Sequence, residues 1–131
     1  MDGETPSKID LLHSESRVFF SFYDCSLDKK YSFYGLTREE ATHLMRRLRH
    51  LEKMEWRQLS GLSREEGLTP EISGSVSHEM IHAQNSSEKK LVEQYYFHIR
   101  VNGKFRIFGY QIDQFFRITH IDPEGKIHGH H

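Results

Sequence analysis

Read as a run of apolar and polar positions, the chain has a featureless start, a helical middle and a strand-rich end. Residues 1–15 are polar without a period, which predicts a loose N-terminal arm. From residue 16 onward, aromatic residues crowd into 17–23 (RVFFSFY) and 30–34 (KYSFY). Aromatic side chains favour pleated structure, so both stretches are predicted strands, with 24–28 turning between them in an N-terminal β-hairpin. Thr37-Arg-Glu-Glu40 then has the form of a capping box, Thr37 capping a helix and Glu40 reaching back. Ala41, Leu44, Met45 and Leu48 follow at i, i+3, i+4 and i+7, one apolar helical stripe. Residues 54–59 continue as a short helical turn that buries Trp56 and Leu59. Residues 60–75, rich in Gly, Ser and charge, form a loop pinned to the core by Leu68 and Ile72.

The pattern turns to period two near the C-terminus. YYFHIRV (95–101) alternates, Asn102-Gly103 signals a hairpin, and KFRIF (104–108) returns. FFRITHI (115–121) is a further strand, Asp122-Pro-Glu-Gly125 has the residues of a type I turn, and 126–128 make a short last strand. The register follows from the faces. A two-residue loop at Asn102-Gly103 would pair Val101 with Lys104 and Ile99 with Arg106, mixing apolar and charged residues on both faces. A loop with an odd residue count separates them: Phe97, Ile99, Val101, Phe105 and Ile107 share one face, and His98, Arg100 and Arg106 the other. The odd loop is therefore predicted, with Gly103 left-handed.

Composition narrows this picture. The 131 residues suit one core, so residues 16–131 are read as a single α+β domain: an antiparallel or mixed sheet with helices packed on one face. The formal net charge of −1 gives no global basic field, so any anion-binding patch is local. The single cysteine, Cys25, excludes an internal disulfide. No apolar run is long enough to span a bilayer and the start is not signal-like, which predicts a cytoplasmic protein without a membrane partner.

Two constellations carry chemistry. His78-Glu79-Met80-Ile81-His82 spells H-E-x-x-H, which on a helix gives two zinc ligands one turn apart and a general base. That is the spacing of a small zinc metallopeptidase with His78 and His82 as ligands. Against it, Asn85 and Glu88 stand where an extended motif has Gly and His, glycine and serine leave only about two helical turns, and a chain with 10 histidines makes chance matches easier. The second constellation is the sheet face bearing His98, Arg100 and Arg106, with Lys104 at the hairpin, His120 at a strand end, and His128 folded back toward it by the Asp-Pro-Glu-Gly turn. Attack of an RNA 2′-hydroxyl on its own phosphodiester needs a base, an acid and fixed cations, and no cofactor. Histidine and arginine supply these. The plain alternative is a solvated sheet face with scattered charges.

The order LEKMEWRQL…EEGLTPEI…YYFHIRVNGKFRIFGYQIDQFFRITHIDPEGKIH, spanning roughly residues 44–128, resembles the RelE/ParE superfamily of toxins. The shared parts are a helical segment, a loop, a strand with basic residues, a K-F-R-I strand, a hydrophobic strand and an end strand with an acid/base residue. The resemblance implies a RelE/ParE-like fold with the predicted N-terminal hairpin added. It also implies a ribonuclease of a toxin–antitoxin pair, with mRNA, in the family often ribosome-bound, as substrate and a cognate antitoxin as partner. It places His98 at a basic position of the first strand, Arg106 at the arginine that contacts the scissile phosphate, His128 at a terminal Tyr or His, and His120 near another basic position. Arg46, Arg47 and Lys53, on the helix face opposite the apolar stripe, are either a solvated face or a local phosphate-facing patch; on the second reading they bind RNA with Arg100, Lys104 and Arg57. A ParE-like inhibitory binding module is the non-catalytic counterpart.

Overall fold

The computed structural model describes residues 9–63, 65–71 and 95–127. They form an α+β fold: a five-stranded mixed sheet with two α-helices on one face. The strands are β1 (Phe19–Ser21), β2 (Leu68–Pro70), β3 (Tyr96–Asn102), β4 (Phe105–Ile112) and β5 (Phe115–Asp122), in spatial order β1-β5-β4-β3-β2. Strands β2 to β5 pair antiparallel, and β1 joins β5 in parallel. Helix α1 covers Arg38–Leu51 and α2 covers Trp56–Ser60.

Local chemistry accounts for most of the elements. Thr37 accepts a hydrogen bond from the Glu40 amide at 3.1 Å, and the Glu40 carboxylate accepts from the Thr37 amide at 2.9 Å, the reciprocal cap that opens α1. The buried stripe of α1 differs from the expected one: Leu44 and Leu51 are buried and Leu48 packs beside them, while Ala41 and Met45 are exposed. The sheet lies against the i, i+4, i+7 row that starts at Leu44. Trp56 and Leu59 of α2 are fully buried, and the Trp56 ring stacks on Phe116 and donates its indole N–H to the Gln114 carbonyl at 2.9 Å. With Phe97, Ile99, Phe105, Ile107, Ile118 and Ile121 these side chains fill the core between helices and sheet.

The β3–β4 hairpin has the expected register. Arg100 opposes Arg106, Ile99 opposes Ile107, the ladder slips between Arg100 and Asn102, and Gly103 is left-handed at φ 51°. A second slip was not anticipated. Phe108 opposes His120 but Gly109 opposes Ile118, so Thr119 is an extra residue in β5. A bulge reverses the alternation of side chains. Phe116 and Ile118 point into the helix-covered core, and past Thr119 it is His120 and Asp122 that take the other face, while Ile121 returns to the core.

The predicted N-terminal hairpin is not formed. Only Phe19–Ser21 is a strand, and its partner is β5, with Phe20 opposite Phe116, rather than the 30–34 stretch. Residues Lys29–Tyr31 and Phe33–Gly35 are 3-10 turns, because the Asp28 and Ser32 side chains accept from the Lys30 and Tyr34 amides and cap them. The N-terminal arm is also partly fixed: Leu11–His13 is a 3-10 turn, the Asp10 amide donates to the Gln111 side chain at 2.8 Å, and Ile9 packs on the core. At the other end, Lys126 and Ile127 form a turn rather than a strand, their amides donating to the Asp122 carboxylate at 3.1 and 2.9 Å. Strand β2 lies within the stretch 60–75 expected as a loop. Among the described residues no helix is long and apolar enough to cross a membrane.

Candidate anion-binding site on the open sheet face

The sheet face away from the helices carries its polar groups in cross-strand rows. One row runs Arg100, Arg106, Asp122 across β3, β4 and β5. The next runs Thr69, His98, Phe108, His120 across β2 to β5. A third holds Tyr96, Tyr110 and Arg117. Tyr96, Phe108, Tyr110 and Ile127 make a small apolar cluster beneath, joined by Tyr31.

The first row is the unusual one. Two arginines directly opposite each other repel, which a sheet does not tolerate without compensation. Burial lowers the Arg106 pKa, and the neighbouring Arg100 charge lowers it further, while Asp122 and Glu71 oppose the shift. Both guanidinium Nε atoms are buried, and neither finds an acceptor among the described residues. Asp122 is only 2% exposed, and its two oxygens already accept the Lys126 and Ile127 amides. The arrangement is a pair of half-buried cations with donor capacity left over, which suits an oxyanion. Gly125 closes the turn at φ 67°, and a Cβ there would lie 3.4 Å from an Arg106 terminal nitrogen and 2.9 Å from the Lys104 carbonyl. The left-handed backbone and the close approach to Lys104 are what call for glycine here, with the turn packed beside the arginine.

His98 differs from its expected form. It is 7% exposed and its Nδ1 is hydrogen-bonded to the Glu71 carboxylate, itself buried at the end of β2. The Glu71 amide donates to the Tyr96 carbonyl at 2.9 Å, which fixes the carboxylate beside the ring. A carboxylate on Nδ1 fixes the tautomer and orientation of the ring. His120, 4% exposed, meets the Tyr31 ring edge-on at 5.5 Å. Phe108 stands between the two histidines, 5.4 Å from His98 ring to ring. Two strand spacings separate them by roughly 10 Å.

The face thus brings His98, Arg100, Arg106 and His120 together, with Lys104 exposed at the hairpin beside them. It does not bring in the helical cations. Arg46, Lys53 and Arg57 are exposed on the helical side of the sheet, and Arg57 pairs with Glu55 at 2.7 Å. Arg47 is turned to a structural role: its Nε donates to the Arg100 carbonyl at 3.1 Å and a terminal nitrogen donates to the Glu66 carbonyl. Burial lowers its pKa. His78, Glu79, His82 and His128 lie outside the described residues. Among the described residues, no three His, Cys, Asp or Glu side chains are grouped to hold a metal ion.

Sequence reasoning missed Glu71 and the structural duty of Asp122. Glu71 follows a three-residue strand containing Pro70, too short to give a period, and its partner is 27 positions away. Asp122 was visible as a turn residue, and an aspartate opening such a turn commonly accepts downstream amides. The network of Asp24 with Tyr110 and Arg117 also went unseen; there burial pulls the Arg117 pKa down, but contacts with Tyr110 and Asp24 outweigh it. No family model, curated protein or solved structure matches this chain.

Proposed function

We propose that the chain is a RelE-like toxin of a toxin–antitoxin pair, a metal-independent endoribonuclease acting on mRNA in the cytoplasm. One observation carries the reading: Arg100 and Arg106 face each other on the sheet face away from the helices, half-buried, with both Nε atoms unpartnered among the described residues. An RNA phosphodiester between them would neutralise their repulsion, and its bidentate oxygens match the guanidinium fork. During 2′-hydroxyl attack the extra negative charge on the phosphorus oxygens would fall on the same pair. His98, with Glu71 on Nδ1, is the candidate base for the 2′-hydroxyl through Nε2. His128 and His120 are the candidates for protonating the leaving 5′-oxygen, and Lys104 adds charge at the hairpin. An antitoxin would then act by covering this face.

The test is expression of wild type, Arg106→Ala and His98→Gln in bacteria, with RNA integrity followed in cells and with purified protein. Wild type should arrest growth and cut RNA. Arg106→Ala should lose roughly 100-fold or more in cleavage, the scale seen when one charge-stabilising donor is removed. Intact RNA and normal growth with soluble wild type would sink the nuclease reading. A second reading has its own support: His98 and His120 are almost wholly buried, which suits a non-catalytic, ParE-like binding module. Toxicity that survives His98→Gln without RNA cleavage favours it.

A further inference from the structure

Of the exposed aromatic residues among those described, Phe19 and Phe115 pair across β1 and β5, and the other four lie in the segment between β1 and α1. Phe22, Tyr23, Phe33 and Tyr34 are all exposed, Tyr23 to 75% and Tyr34 to 74%. The Phe22 and Phe33 rings meet at 5.4 Å, and each has a tyrosine as its chain neighbour. The Arg117 guanidinium lies 5.1 Å from the centre of the Tyr23 ring. The segment is not loosely attached. The Ser26 amide donates to the Thr119 carbonyl at 2.8 Å, Asp24 is bonded to Tyr110 and Arg117, and Tyr31 packs on His120.

Cations are interleaved with these rings. Lys29 and Lys30, both exposed, line a shallow cleft of about 60 Å³ with Tyr31, Asp122 and Lys126. Its lining runs from Gly35, the chain neighbour of Tyr34, to Asp122, the cross-strand neighbour of Arg106. The acids along it are committed to local partners: Asp28 caps the Lys30 amide, Asp122 holds two amides, and Glu124 pairs with Lys126 at 3.2 Å. The three acids match the three lysines in number, but each is held by a local partner, which leaves Lys29 and Lys30 as the exposed cations facing the aromatic segment. A surface made for a protein partner would have a more continuous apolar centre with charge at its rim. Alternating rings and lysines instead match grooves that take single-stranded nucleic acid, where each base offers a π-face and each phosphate a charge.

We propose that Phe22, Tyr23, Phe33 and Tyr34 form a stacking platform for unpaired bases of an RNA strand whose phosphate sits at Arg100 and Arg106. The proposal rests on the ribonuclease reading and specifies its substrate as single-stranded, because a duplex keeps its base faces covered. Lys29 and Lys30 contact the phosphates in between. No stacking residue touches the reacting atoms, so the platform acts on affinity and on the choice of strand.

Binding of the full chain is measured by fluorescence anisotropy with a 2′-O-methyl RNA strand of about ten nucleotides, within the usual site size of single-strand grooves, and with an abasic strand of equal length. The 2′-O-methyl group blocks cleavage. The variant Tyr23→Ala/Tyr34→Ala should bind the base-bearing strand at least about thirtyfold more weakly and the abasic strand as wild type does. Both tyrosines are largely exposed, so the variant keeps its fold; Tyr23→Phe/Tyr34→Phe should restore binding. Arg106→Ala should weaken both strands alike. Equal loss on both strands for the tyrosine variant, or no loss, overturns the platform, and the second result leaves the surface to a protein partner. If Arg106→Ala changes neither strand while the tyrosine variant still discriminates, the platform holds and the phosphate site on the sheet fails alone.

Discussion

Asp122 shows how much one residue does on the sheet face away from the helices. Its side chain is buried, faces Arg106 across the ladder, and takes two amides of the turn that follows β5. Replacing it with alanine leaves two donors without their acceptor, one of them in a buried bond, and removes the only acid in the arginine row. Asp122→Ala should cost about 2–3 kcal/mol in denaturant unfolding, since a lost charged acceptor leaves its donors unsatisfied. Lys126→Ala, whose side chain pairs with Glu124 in an exposed ion pair, should cost clearly less, under about 1 kcal/mol. Equal effects of the two changes would refute this account of Asp122. At this scale the sequence was informative about type and poor about state. The alternation of 95–101 and the need for an odd loop correctly put His98 with Arg100 and Arg106. Nothing local announced that His98 would be buried against Glu71, because that contact depends on β2 coming alongside β3.

Elements whose signal is local were legible, and elements made by distant pairing were not. The Thr37–Glu40 cap and the β3–β4 register are both settled within a few residues of chain, and both formed as expected. The N-terminal hairpin failed for the opposite reason. The aromatic content of 17–23 is right for a strand, but its partner is β5, nearly a hundred positions away, while side-chain caps at Asp28 and Ser32 turn the supposed return strand into 3-10 turns. The stripe of α1 was ambiguous because Ala41 and Met45 fit a helical period as well as Leu48 and Leu51 do. The bulge at Thr119 is the element-scale feature with the most consequence, since without it His120 and Asp122 would point into the apolar core. Gly109 makes room for it: a Cβ there would stand 2.3 Å from the Arg117 carbonyl oxygen and 2.5 Å from the Phe116 ring. Gly109→Ala should therefore destabilise by at least about 1–3 kcal/mol, the range for overpacking, and should distort the β4–β5 ladder. Unchanged stability, with unaltered amide exchange at Thr119 and His120, would show that the bulge does not need the glycine.

Across the whole molecule, several acidic protons are held by groups from different parts of the chain. Burial pushes the Cys25 thiol up to about 11, with the Ser26 amide hydrogen bond opposing. Burial, helped by the Asp24 carboxylate, pushes the Tyr110 hydroxyl up to about 12. Tyr96 and Tyr31 are raised as well, burial again leading. In each case the folded state holds the proton more tightly than the unfolded chain, so these groups leave stability unchanged while both states are protonated. Above the ordinary values of 9.0 for the thiol and 10.0 for the phenols, the unfolded chain releases protons that the fold retains, and stability falls with rising pH. The fold should accordingly be level in stability between about pH 7 and 8.5 and lose it progressively from about pH 9 upward, as the unfolded thiol and phenols ionise. Denaturant unfolding at intervals up to about pH 11, kept below the range where the folded Tyr110 ionises, measures the slope. Tyr110→Phe starts from lower stability, having lost its bond to Asp24, but should show a shallower alkaline decline, and Cys25→Ala should blunt the onset near the thiol value. Stability that rises through this range, or a Tyr110→Phe slope as steep as wild type, would mean that these protons are not held by the fold.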